Sequence, residues 1–183
     1  YTCVQRIPLP APREAEFFER MYIPIQDGRW FSIYPPGFAF VLALGVLAKH
    51  PQWINPLVSV SIVPLFFLFA RRIVSPFVAR VGSLFLALSP FFLLMGSSYM
   101  NHPSCLLFVL LFLLFLDRSL SSRFLGGSAL ISGFCLGAAF LIRPLTALAL
   151  GGAGAIWIGM SERGTFWHRM LAGILIAASV LPC

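Results

Sequence analysis

Residues 81–116 run for 36 positions without a Lys, Arg, Asp or Glu. As one α-helix rising ~1.5 Å per residue that run would be about 54 Å long, whereas a bilayer's hydrocarbon core is roughly 30 Å thick. No single membrane crossing can hold it. The natural break is Gly96-Ser97-Ser98-Tyr99-Met100-Asn101-His102, followed by Pro103, a residue type favoured at the first position of a new helix. Two helices are therefore expected, one ending near Met95 and one starting near Pro103. Charged residues make up only 10% of the chain, against roughly 25% in soluble domains. A polytopic membrane protein is the class that fits.

Spans are counted as uncharged stretches near the length of a crossing, about 20 apolar residues. They are expected over 53–70, 77–95, 103–116, 124–142, 144–160 and, cut short by the end of the chain, 170–183. Residues 36–48 are too few for an ordinary crossing at ~20 Å of helix. An interfacial or re-entrant helix over 37–48 is expected instead, with 1–36 an extracytoplasmic loop segment carrying short helices. The fold class is thus all-α: a polytopic transmembrane helix bundle with an extracytoplasmic juxtamembrane helical segment. The chain begins without Met and stops inside an apolar run, so it reads as a fragment of a longer membrane protein.

The formal charge of +7 would raise nucleic-acid binding in a soluble protein, but the basic residues do not cluster among stacking aromatics. They alternate between loops. Arg71, Arg72, Arg80, Arg118, Arg123, Arg163 and Arg169 fall on one side, Lys49 and Arg143 on the other. The richer side is assigned to the cytoplasm, which places Lys49, residues 96–102 and Arg143 outside. Cys3, Cys105, Cys135 and Cys183 have no metal-type spacing. Nothing matches a Walker loop, HExxH, a nucleophile elbow or a dinucleotide fingerprint.

Arg143 stands alone in residues 124–160, which otherwise hold no charge. Ionisable groups in membrane segments are functional hypotheses by default, although an interfacial Arg snorkelling at a tight hairpin reads the same way in sequence. In the 96–103 patch, Asn101 or His102 would cap a helix whose N-terminus faces outward, where free N–H groups and the helix dipole favour an anion. An imidazole and the Tyr99 phenol complete a seat for a phosphate; a plain loop is the competing reading. Tyr34-Pro35-Pro36-Gly37 is either helix punctuation or part of the same site.

Four motifs in order are Asp27-Gly28-Arg29-Trp30-Phe31-Ser32-Ile33-Tyr34-Pro35-Pro36-Gly37, Ala87-Leu88-Ser89-Pro90, Ser98-Tyr99-Met100-Asn101-His102-Pro103 and Phe140-Leu141-Ile142-Arg143-Pro144-Leu145-Thr146-Ala147. Together they resemble the bacterial GT-C membrane glycosyltransferases of the protein mannosyltransferase and aminoarabinose transferase type. The resemblance implies transfer of a sugar from a polyprenyl-phosphate carrier to a lipid, glycan or protein acceptor hydroxyl, at the outer face of the cytoplasmic membrane. It implies Tyr34, Tyr99, Asn101, His102 and Arg143 around the donor phosphate. The family's catalytic carboxylate follows a first membrane helix that is expected upstream of Tyr1; Glu14, Glu16 and Asp27 are the weaker candidates within the chain. No cofactor is required by these residues, and a divalent metal is left open. The partners implied are the lipid-linked donor, the acceptor and membrane lipids, with no nucleic acid. The alternative is a transporter or flippase module for an anionic or lipid-linked substrate, using the same Arg and His without making bonds.

Overall fold

The computed structural model describes residues 9–10, 25–26, 29–30, 35–121, 125–160, 173–174 and 176. From residue 37 onward the described elements are all helices, joined by short turns. Prolines mark most of the starts, as expected for a residue with no N–H to leave unpaired and φ already set. Helix α1 (Gly37–Leu47) follows Pro35-Pro36, and a 3₁₀ turn (Pro51–Trp53) leads into α2 (Ile54–Ala70). Helix α3 (Pro76–Leu88) is capped by the Ser75 hydroxyl, which accepts from the Val78 N–H. Next come α4 (Pro90–Ser97), α5 (His102–Ser121), α6 (Leu125–Ile142) and α7 (Pro144–Met160).

Two differences from the expected spans have physical causes. The 77–95 stretch is not one rod: α3 and α4 meet at 55°, because Pro90 lacks an N–H and Ser89 before it is extended, with ψ at 121°. Helix α5 runs on past residue 116 to Ser121 because Asp117 is neutralised by an ion pair with Arg72. Ahead of the bundle, β1 (Leu9–Pro10), β2 (Ile25–Gln26) and β3 (Arg29–Trp30) pair antiparallel in the order β1-β3-β2, with Trp30 opposite both Leu9 and Ile25. The Asp27-Gly28 pair between β2 and β3 in sequence is a favoured two-residue hairpin dipeptide. The short helices expected over 1–36, and the 170–183 span apart from residues 173–174 and 176, fall outside the described residues.

Helix α5 is the centre of the bundle. Of the apolar window in residues 102–120, 56% is buried, against 17% for the span at 51–70. Phe112, Leu116 and Leu120 of α5 pack against Ala129 and Cys135 of α6 and against Ile176. The Ser132 hydroxyl donates to the Phe112 carbonyl at 3.1 Å, and Gly154 of α7 lies so close to the Phe112 ring that a Cβ there would come within 2.7 Å of it. Small residues at these crossings let helix backbones approach, the packing mode available where lipid removes the hydrophobic drive between helices.

Register follows from cross-helix contacts. Asn55 bonds the loop before α5, and Arg72 pairs with Asp117 near its far end, so α2 and α5 run parallel. Ile142 and Ala139 pack against Cys105 and Val109, so α6 returns antiparallel. The starts of α2, α5 and α7 and the ends of α4 and α6 thus share one end of the bundle. Helix α1 is held there by both of its termini, Gly37 against Leu141 and Ile142, Gly45 against Pro51 and Ile54. It crosses that end and does not run the length of the bundle. Its last turn closes with the His50 N–H on the Gly45 carbonyl and the Lys49 N–H on the Val46 carbonyl, a Schellman arrangement that puts Lys49 at φ 62°.

Among the described residues two helices, spanning Pro51–Ala70 and His102–Leu120, are long and apolar enough to cross a membrane, or three if the bent α3–α4 pair is one span. Phe77, Phe85, Leu88, Phe91, Leu94, Leu145 and Ile156 are exposed on the outside of the bundle. An apolar surface of this extent points to a membrane protein.

Candidate functional site

Gly37, which closes the first sequence motif, meets the third and fourth motifs at the end that α1 crosses. Gly37 sits directly on the backbone of α6: a Cβ at that position would lie 2.5 Å from the Leu141 carbonyl carbon and 2.7 Å from the Ile142 nitrogen. The next residue along α6 is Arg143, the single non-helical position between α6 and α7. Its backbone is tied on both sides, the N–H donating to the Ala139 carbonyl at 2.8 Å and the carbonyl accepting from the Ala147 N–H at 3.1 Å. Pro144 can take the first position of α7 because it has no N–H to satisfy. The half-buried guanidinium is close enough to act electrostatically on the His102 imidazole and on Cys105 at the start of α5.

The 98–101 loop is held from below by a residue the sequence reading did not single out. Asn55 is 3% exposed, and its side-chain amide donates to the carbonyls of Ser98 and Met100, the latter at 2.8 Å. Gly96 admits the Ser59 hydroxyl so closely that a Cβ would come within 2.6 Å of it. Asn55 and Ser59 are four residues apart and share one face of α2. That spacing within an otherwise apolar stretch was the available signal. Replacing Asn55 by Ala is expected to cost about 1–3 kcal/mol through the orphaned carbonyls, read as a lower thermal midpoint with faster amide exchange at residues 99–101.

Polar atoms without a partner gather at the same end. Among the described residues, Asn55 Oδ1, Ser59 Oγ, His102 Nδ1 and Ser104 Oγ are buried without a hydrogen bond. All four belong to the first two turns of α2 or α5. Buried polar atoms are ordinarily satisfied, so such a cluster is suited to a polar ligand. The start of α5 adds the positive end of a helix dipole beside them.

Of the residues expected around a phosphate, His102 and Arg143 are brought together, and Asn101 is half-buried beside His102, its carbonyl accepting the Cys105 N–H at 3.1 Å. Tyr99 is in the same loop but 58% exposed, with its ring at the rim. Tyr34, Glu14, Glu16 and Asp27 fall outside the described residues. Among the described residues no three His, Cys, Asp or Glu side chains come together as a metal site would require. No family model, curated protein or solved structure matches the chain.

Proposed function

We propose that the chain is part of a polytopic bundle in a bacterial-type cytoplasmic membrane, and that it transfers a sugar from a polyprenyl-phosphate carrier to an acceptor hydroxyl at the outer face. The observation that carries this reading is the convergence of Gly37, His102 and Arg143 at one end, beside four buried polar atoms that have no partner among the described residues. The opposite end holds Arg71, Arg72, Arg80 and Arg118 and takes the cytoplasmic side by the positive-inside rule. In the reaction the acceptor oxygen attacks the sugar's anomeric carbon, the bond from that carbon to the phosphate oxygen breaks, and the polyprenyl phosphate departs with the electron pair. The acceptor proton passes to a carboxylate, for which Glu14, Glu16 and Asp27 are the chain's candidates. Arg143, His102 and the α5 N-terminus oppose the negative charge that grows on the leaving phosphate.

The test is a set of polyprenyl-phosphate sugars offered to the full-length protein in vesicles with candidate acceptors. The expected result is sugar covalently on an acceptor and free polyprenyl phosphate in the bilayer. Passage of intact donor across the vesicle membrane with no bond broken would instead identify a transporter.

A further inference from the structure

At the other end of the bundle, an open groove of about 250 Å³ lies between α2 and α5, lined by Leu65, Leu68, Leu111, Leu114 and Phe115, with Arg71, Arg72 and Arg118 at one end of the lining. From Arg71 back to Leu65 and from Arg118 back to Leu111, the apolar wall extends roughly 10 Å along the two parallel helices. The arginines are not equivalent. Arg72 is paired with Asp117, which is 6% exposed and is the only carboxylate side chain among the described residues. Arg71 has its guanidinium 6.0 Å from the centre of the Phe67 ring, and Arg118 is exposed one residue beyond Asp117. Neither forms an ion pair among the described residues.

We infer that this groove is a binding site for an anionic phospholipid, with the headgroup phosphate between Arg71 and Arg118 and an acyl chain along Leu65, Leu68, Leu111 and Leu114. Charge complementarity selects the occupant's head, and the apolar wall selects its tail. A soluble anion would leave the leucines wet, and a neutral lipid would leave two arginines unanswered. The site is separate from the end that carries Arg143, so it stands or falls independently of sugar transfer. Its job is to hold the C-terminal ends of α2 and α5 at a fixed depth against the leaflet.

The experiment is native mass spectrometry of the purified full chain with equal amounts of phosphatidylglycerol and phosphatidylcholine, paired with thermal unfolding in each lipid. Retention of phosphatidylglycerol is expected, with higher thermal stability in that lipid. The double variant Arg71→Gln, Arg118→Gln should lose about 30-fold in its preference, the factor two arginines contribute beside an anionic headgroup. Arg80→Gln, an exposed arginine outside the groove lining, should leave the preference unchanged. Leu114→Trp fills the groove without altering charge and should also lower phosphatidylglycerol retention. Equal retention of both lipids by the wild type, or a preference that survives both the double variant and Leu114→Trp, overturns the site. Protection by glycerol phosphate alone, equal to that of the lipid, also overturns it by reassigning the arginines to a free phosphate.

Discussion

Replacing Arg143 by Ala should lower sugar transfer from a polyprenyl-phosphate donor by about 10²–10³-fold, the loss typical when one group stabilising a developing anion is removed. The side chain projects from a position where the backbone has no freedom, tied to Ala139 and Ala147 and followed by a proline. On the proposed function its Cα is therefore placed before a donor arrives, and only the side-chain torsions remain to be ordered. Lys at the same position keeps the charge but loses the planar fork that meets phosphate oxygens in pairs, so Arg143→Lys should recover only part of the rate. Because Arg143 is half-buried and its hydrogen bonds among the described residues are made by its backbone, the Ala variant should unfold at nearly the wild-type temperature. A rate loss without a stability loss separates this role from that of an interfacial arginine that merely snorkels. Undiminished transfer by the Ala variant would remove Arg143 from the mechanism.

The site has a layered construction. The charge of Arg143 reaches His102 near the junction of α5 with α6 and α7, while Asn55 and Ser59 brace the loop and helix end from α2. Changes in the bracing layer should shift stability and donor affinity together, because the 98–101 loop moves when it loses its support. Changes at Arg143 should act on the chemical step. That division gives Asn55→Ala and Arg143→Ala distinguishable signatures, although both affect the same end of the bundle.

How much of this was legible in the sequence depended on what marks a boundary. Pro144 after a lone Arg143 is readable as a helix start, and α7 begins there. Charge was a poorer guide at Asp117, which stops an uncharged run in sequence but not a helix in space, since Arg72, in the turn after α2, neutralises it. The bend at Ser89-Pro90 has no mark in the charge pattern, because proline carries no charge and sits within an uncharged run. Asn55 was illegible as a support because the carbonyls it holds are 43 and 45 residues further along the chain. The gathering of Gly37, His102 and Arg143 at one end followed from helix parity and from the shortness of residues 37–48. The contact between α1 and the α6 backbone did not follow from either, because nothing local to Gly37 names its neighbour.

That contact gives the largest structural prediction. Gly37→Ala should destabilise the fold by about 2–3 kcal/mol, at the upper part of the usual range for overpacking. The added Cβ would lie 2.5, 2.6 and 2.7 Å from the Leu141 carbonyl carbon, its oxygen and the Ile142 nitrogen. These are backbone atoms inside a helix, so no rotamer change can relieve the clash; either α1 lifts away or the end of α6 shifts. Both movements disturb Arg143, which is one residue past Ile142. The variant should therefore lose donor use as well as thermal stability, unlike Arg143→Ala. Gly152 is the matched control, an exposed helical glycine whose added Cβ would meet nothing within 4 Å. Gly152→Ala should be neutral or stabilising by about 0.5–1 kcal/mol, the helix-propensity difference between the two residues. Equal thermal midpoints for the two alanine variants would mean that α1 does not rest on α6, and the shared end that positions Arg143 would lose its outer wall.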